Sequence, residues 1–204
     1  MKTRHFIYRI LAILLLVLLS PLFFLFYILI KLTSQGPFIF KQKRMGKGRK
    51  TFTIYKMRTM AEGAEKMREK YKSLNEVKKG PVFKIYDDPR YTGIGKFFAH
   101  SALDELPQLV NIIKGEMSFV GPRPLPVYEA TKIPKKYRDR FTVLPGMTSS
   151  WIVKGAHQLS FDQWMKLDLD YVKKASFWYD MSIIGPTILL TIQSIIKSLS
   201  QQKK

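Results

Sequence analysis

The chain has 204 residues, no cysteine and a formal charge of +20, from 35 Lys and Arg against 15 Asp and Glu. That length makes one domain the default, and the missing cysteine excludes a disulfide framework and a cysteine-bound zinc. Three scattered histidines (His5, His100 and His157) lack metal-ligand spacing.

The charge is polarised. No acidic residue precedes Glu62, whereas Lys2, Arg4, Arg9, Lys31, Lys41, Lys43 and Arg44 all do. Such a basic half points to nucleic acid or an anionic membrane surface. The N-terminus selects the membrane. Ile10 to Ile30 runs 21 positions without a charge, and a helix of about 20 apolar residues spans a bilayer. The run is too long for a signal peptide, and no small-x-small cleavage site follows it. Ser20-Pro21 splits it into Ile10–Leu19 and Leu22–Ile30, each roughly 15 Å of helix. Proline bends a helix by removing a backbone bond and crowding the preceding turn. Basic flanks on both sides are satisfied with both ends in the cytoplasm. On the residues alone, a broken helix that enters and returns on one side and a kinked spanning helix both stand.

Gln35-Gly36-Pro37 then marks a turn. Phe38–Phe40 and Thr51–Tyr55 read as two short strands around the loop Arg44–Arg49. The basic tip of this hairpin suits lipid headgroups or a nucleotide diphosphate, or is a solvated loop beside the membrane. Ala61 to Lys79 reads as an exposed charged helix and a mobile loop, given no chemistry beyond a lid over a site. Asp87-Asp88-Pro89-Arg90 makes a turn, its aspartates either cation ligands or Asx-turn caps.

Ser101 to Pro124 is the centre of the chain. Ser101 and Asp104 have the spacing of a helix start, and Leu106, Leu109, Val110 and Ile113 recur at helical period. Gly115 stands where a left-handed stop is expected, and Pro107 is tolerable in a first turn. Asp104 and Glu105 therefore sit at the positive end of a short helix, beside a Gly-Pro-Arg-Pro turn that carries Arg123. Such a place suits a carboxylate nucleophile acting on a phosphate ester, although acids in a first turn are also ordinary capping chemistry. Glu129 to Arg140 is polar and basic, Val143–Thr148 a turn, and Phe161 to Ser176 an amphipathic helix. Met181 to Leu199 is apolar but interrupted by Lys197 and polar residues, so it reads as a membrane-surface or core helix rather than a second span.

The string L-D-E-L-P-Q-L followed by G-E-M-S-F-V-G-P-R-P resembles the signature of the monotopic phosphoglycosyl transferases, bacterial sugar transferases that act on polyprenol phosphate. Q-K-R-M-G, I-Y-K-M-R-T-M, Asp88-Pro89-Arg90, P-G-M-T, L-D-L-D-Y-V and S-F-W-Y-D extend the likeness from the anchor to about Ile192. The resemblance implies an α+β, predominantly helical fold. It places a re-entrant membrane helix hairpin at residues 1–34, broken at Ser20-Pro21. A short β-hairpin and a compact helical catalytic domain follow over residues 35–204, lying on the cytoplasmic face of the bacterial inner membrane.

It also implies transfer of a sugar 1-phosphate from a UDP-sugar to polyprenol phosphate, with release of UMP. Asp104 is then the nucleophile and Glu105 its partner and general base, with Mg²⁺ beside the two. Lys56, Arg58, Arg90, Arg123 and Lys96 are candidate phosphate-binding residues. Anionic lipids are expected partners, a homodimer is left open, and nucleic acid is not expected, since no reading module is present. The alternative is a catalytically silent membrane scaffold of the same fold. Two departures bear on this choice. The family's arginine five residues before the nucleophile is Ala99 here, with His100 and Lys96 nearby. Its T-G-x-x-Q-V-x-G-R loop reads T-S-S-W-I-V-K-G-A, so Ser149, Ile152 and Ala156 replace glycine, glutamine and arginine. A different nucleotide sugar, compensation by Lys154 and Lys96, or lost activity would each account for them.

Overall fold

A computed structural model describes residues 2–77, 80–155 and 158–201. The chain opens with α1 (Lys2–Leu18) and α2 (Ser20–Thr33), bent by 59° at Leu19. The break falls one residue before the expected Ser20-Pro21, because proline is accepted in the first turn of α2. Pro21 has no N–H for the carbonyl of Val17. The Ser20 hydroxyl donates to that carbonyl instead, at 2.8 Å.

Both arms dock on the rest of the chain. On α1, Tyr8 and Ala12 are buried with Leu109, Ile112 and Met117, while Ile10, Leu14 and Val17 stay exposed. On α2, Phe26 and Ile30 are buried with Met57 and Phe98. These positions recur four apart, so each helix buries one face and leaves the other bare.

Strands β1 (Ile39–Met45) and β2 (Thr51–Met57) form the expected hairpin, extended beyond the predicted runs, with Ile39 opposite Met57 and Met45 opposite Thr51. Its tip is exposed and basic, with Gly48 and Arg49 at positive φ. The expected helix from Ala61 is instead a run of turns ending in a 3-10 segment, Glu69–Leu74. Gly63, at φ 75°, interrupts helical geometry at its start. Lys79, the end of that predicted stretch, lies outside the described residues.

The next elements are α3 (Gly93–His100), capped by Thr92, a 3-10 segment Leu103–Gln108, and α4 (Leu109–Lys114). Gly115, at φ 75°, stops α4 as expected. A parallel pair unseen in the sequence joins β3 (Ser118–Val120) to β4 (Gly146–Thr148). The two strands come so close that a Cβ on Gly121 or Gly146 would strike the opposite backbone. Between them lie α5 (Val127–Ala130) and a 3-10 segment, Lys135–Phe141.

After β4 come α6 (Ser150–Val153), α7 (Phe161–Lys174) and α8 (Phe177–Gln201). Ser160 and Gln163 close a capping box on α7. Trp151 of α6 stacks on Trp164 of α7, centroids 4.4 Å apart. Met181–Leu199 belongs to α8, which is long and apolar enough to cross a membrane, more than the sequence suggested. One face of α8 leaves Trp178, Leu189, Ile192, Ile196 and Leu199 exposed. Its first turn is tied down by Asp180, which accepts the hydroxyls of Tyr8 (2.7 Å) and Tyr171 (2.8 Å) and lies 3.3 Å from Arg4.

Candidate active site

Asp104 and Glu105 sit on the 3-10 segment, but not by the expected capping. The Ser101 hydroxyl donates back to the carbonyls of Phe97 and Phe98, closing α3 rather than opening the next element. Ala102 then adopts φ 57°, a left-handed conformation costing on the order of 1 kcal/mol for a residue with a Cβ. That reversal brings both carboxylates against β2.

The two acids are then treated unequally. Glu105 Oε1 accepts Lys56 Nζ at 2.6 Å and Arg123 Nη2 at 2.7 Å. Among the described residues, Asp104 Oδ2 has only Lys56 Nζ, at 3.6 Å. Both residues are nearly enclosed, 6% and 8% exposed. Burial alone would raise both carboxyls. For Glu105, Arg123 and Lys56 outweigh burial and hold it well below the usual carboxylate range. For Asp104, burial prevails over Lys56, and the neighbouring Glu105 charge adds to it, so its carboxyl is pushed up.

Arg123 is held from behind. Its carbonyl accepts Arg140 Nη2 at 2.8 Å, and Arg140 is clamped by the buried Asp168 at 2.7 and 2.9 Å. Arg44 donates to the next carbonyl along the chain, that of Pro124, at 3.0 Å. The Gly-Pro-Arg-Pro turn is thus fixed by two arginines from different elements.

Asp104, Glu105, Lys56, Arg123 and Arg44 line one cavity of about 1410 Å³. Its polar part holds Asp104, Glu105, Lys56, Arg123 and Lys84; Leu11, Leu15 and Leu19 of α1 and Ile184, Ile188 and Ile192 of α8 supply an apolar wall. Lys84 Nζ stands 4.2 Å over the Trp151 ring. Burial, then the Arg123 charge, push the Lys84 amine down from 10.5 to about 7.

The other predicted phosphate ligands fare differently. Arg58 lines the cavity and donates to the Pro37 carbonyl at 2.9 Å. Arg90 also lines it, but its Nε and Nη2 clamp Asp88 and its Nη1 donates to the Ala64 carbonyl. The Arg90 N–H donates to Asp88 Oδ1 at 3.0 Å, which is the Asx-turn reading of that segment. Lys96 corrects the expectation: 53% exposed, it pairs with Asp87 at 2.8 Å and does not line the cavity. A turn at the start of α3 aims it at solvent.

Ala99 and Ile152 do line the cavity, uncharged, and Ser149 is buried. Lys154 is exposed at the end of α6, so neither proposed substitute cation reaches the cavity wall. Ala156 and His157 lie outside the described residues. Sequence reasoning missed Lys84, Trp151, Arg44 and Arg140. No local pattern marks them, because their partners lie far away in the chain.

Among the described residues, no three His, Asp or Glu side chains converge as a metal-ligand set. Two adjacent carboxylates nevertheless fit Mg²⁺, which is commonly bound by one or two carboxylates together with substrate phosphates.

Comparison with known proteins decides the family. The sequence model for bacterial sugar transferases matches residues 2–194. The chain belongs to the bacterial sugar transferase family. Among individual relatives of that family, it is 40% identical over 162 residues to the galactosyl transferase CpsE of Streptococcus agalactiae, covering 79% of this chain and 35% of that protein. It is 33% identical over 186 residues to the undecaprenyl-phosphate galactose phosphotransferase of Salmonella typhimurium, covering 89% of this chain and 39% of that protein. The exopolysaccharide production protein ExoY of Sinorhizobium fredii is 36% identical over 180 residues, covering 87% of this chain and 80% of ExoY. The chain thus spans under half the length of the first two sugar transferases and most of the third.

Proposed function

We propose that this chain is a membrane-bound phosphoglycosyl transferase. It takes a sugar 1-phosphate from a UDP-sugar, carries it on Asp104, and gives it to polyprenol phosphate, releasing UMP. The name of the Salmonella relative, an undecaprenyl-phosphate phosphotransferase, supports the acceptor class. The observation that carries the reading is the inequality of two buried neighbours. Glu105 is locked by two cations, while Asp104 keeps one long contact on a cavity wall.

An Asp104 carboxylate oxygen attacks the β-phosphorus of the donor, and the bond from that phosphorus to the UMP oxygen breaks. UMP leaves with the bonding electrons, and the phosphosugar stays on Asp104 as a mixed anhydride. An oxygen of polyprenol phosphate then attacks the same phosphorus and frees the carboxylate. That attacking oxygen is mostly deprotonated near neutral pH, since a phosphate monoester loses its second proton at about 6. No general base is needed, and Glu105, held well below the ordinary range, is a poor one. Its part is to fix Lys56 and Arg123 at the phosphates. Mg²⁺ held by Asp104 and Glu105 would offset the negative charge that two phosphates bring to two carboxylates.

The apolar wall of the cavity suits the polyprenol tail, and the bare faces of α1, α2 and α8 suit a bilayer. Docking of both arms on the same catalytic body supports a re-entrant anchor, since entry and exit then share one face of the membrane. The basic stretch around it favours the cytoplasmic leaflet.

The test is UMP release by the full chain in lipid, with Mg²⁺ and a broad panel of UDP-sugars, wild type beside Asp104→Asn. Intact mass of protein quenched during turnover should carry one phosphosugar. A chain that labels with no donor while still binding polyprenol phosphate would be the silent scaffold instead.

A further inference from the structure

Of the cations that line the cavity, Lys56, Lys84 and Arg123 share its polar part with the two acids, and two of these three are already engaged. Lys56 and Arg123 share Glu105 Oε1. Lys84 has a different setting. Among the described residues no carboxylate lies within ion-pair distance of its Nζ, which rests over Trp151 instead. That ring also stacks on Trp164.

Its position is built, not incidental. The Lys84 N–H donates to Asn75 Oδ1 at 2.8 Å, and its carbonyl accepts the Glu76 N–H at 2.9 Å. One residue earlier, the Phe83 N–H donates to the buried Glu129 at 3.3 Å. The Val82 carbonyl accepts Asn75 Nδ2 at 3.0 Å. Four hydrogen bonds thus pin the backbone around one lysine. The aromatic floor then holds its amine within the range of a cation–π contact.

A buried amine without a carboxylate is costly unless an anion arrives. This cavity also lacks charge at Ala99 and Ile152, which line it. We propose that Lys84, seated on Trp151, binds a phosphate group of an incoming substrate, with Trp151 as the positioning residue. The inference rests on the phosphoglycosyl transferase reading and adds a substrate contact to it.

The test is calorimetric binding of UMP, inorganic pyrophosphate and farnesyl phosphate to the full chain in nanodiscs with Mg²⁺, alongside steady-state kinetics. Lys84→Ala should weaken at least one phosphate ligand by about 10- to 100-fold, the scale of a lost charge-assisted hydrogen bond. Loss of UMP assigns the contact to the donor, and loss of farnesyl phosphate to the acceptor lipid. Lys84→Arg should restore most of the binding. Trp151→Leu should raise KM with little change in kcat, and Trp151→Phe should behave as wild type.

Unchanged binding of all three ligands by Lys84→Ala, with wild type binding them, overturns the inference and leaves the transferase reading intact. Should Lys84→Ala not melt cooperatively, Lys84→Gln decides on the same terms. A wild-type chain that binds no phosphate ligand and turns over no donor removes both readings.

Discussion

Two buried acid–base clusters line the same cavity and are finished differently. Asp88 and Arg90 satisfy each other: both carboxylate oxygens meet the guanidinium, and its third nitrogen meets the Ala64 carbonyl. Asp104, Glu105, Lys56, Arg123 and Lys84 use the same residue types without closing. One acid is doubly held, one has a single long contact, and one amine meets an aromatic face. A complete pair fixes the chain, whereas an incomplete one keeps attraction in reserve for something that arrives. Site and scaffold differ here in stoichiometry rather than in composition.

The comparison breaks if the open cluster proves to be scaffold. Asp104→Asn should lower UMP release by at least about 10³-fold and abolish the phosphosugar adduct, while the urea midpoint hardly moves. The closed pair should answer in the opposite sense. Asp88→Ala leaves Arg90 enclosed without its partner and should cost about 3 kcal/mol in denaturant unfolding. Turnover per folded molecule should survive.

A smaller and sharper effect concerns Lys84. Its amine sits at about 7 in the folded chain against 10.5 ordinarily. Below about 7 both folded and unfolded chains carry the proton, so the burial cost is fully present there. Between about 7 and 10.5 the unfolded chain binds the extra proton, and stability rises with pH. Lys84→Met should therefore stabilise the protein, by on the order of 2 kcal/mol below neutrality after allowance for water in the cavity. The gain should fade toward pH 10. A flat difference across that range would mean the amine is not desolvated. The least effect belongs to Lys96→Ala, which removes an exposed pair with Asp87. It should change UMP release by less than about twofold.

How much of this was legible in the sequence follows the range of the interactions. Local signals held: the hairpin, the Gly115 stop, the amphipathic α7 and the Asx turn at Asp88 all depend on neighbours in the chain. Asp104, Glu105 and Arg123 were legible because their strings are unusual, and Lys56 because it lies in another. Long-range placement was not. The β3–β4 ladder joins three-residue strands separated by a long excursion, too short to carry a period. Lys84 reads as one more lysine in a charged stretch until Asn75, Glu129 and Trp151 close around it. Lys96 shows the reverse error: near the acids in sequence, it is turned outward by α3. Ser101 had the right spacing for a cap, but its hydroxyl found a carbonyl of the preceding helix first.

The knot of Tyr8, Tyr171 and Asp180 has a bearing on biosynthesis. The Tyr8 hydroxyl finds its acceptor 172 positions later, and Tyr171 also donates to the carbonyl of Val120, just ahead of the Gly-Pro-Arg-Pro turn. A ribosome therefore delivers the apolar leading helices long before their polar partners exist. Until Tyr171 is made, the Val120 carbonyl ahead of that turn lacks its hydroxyl donor.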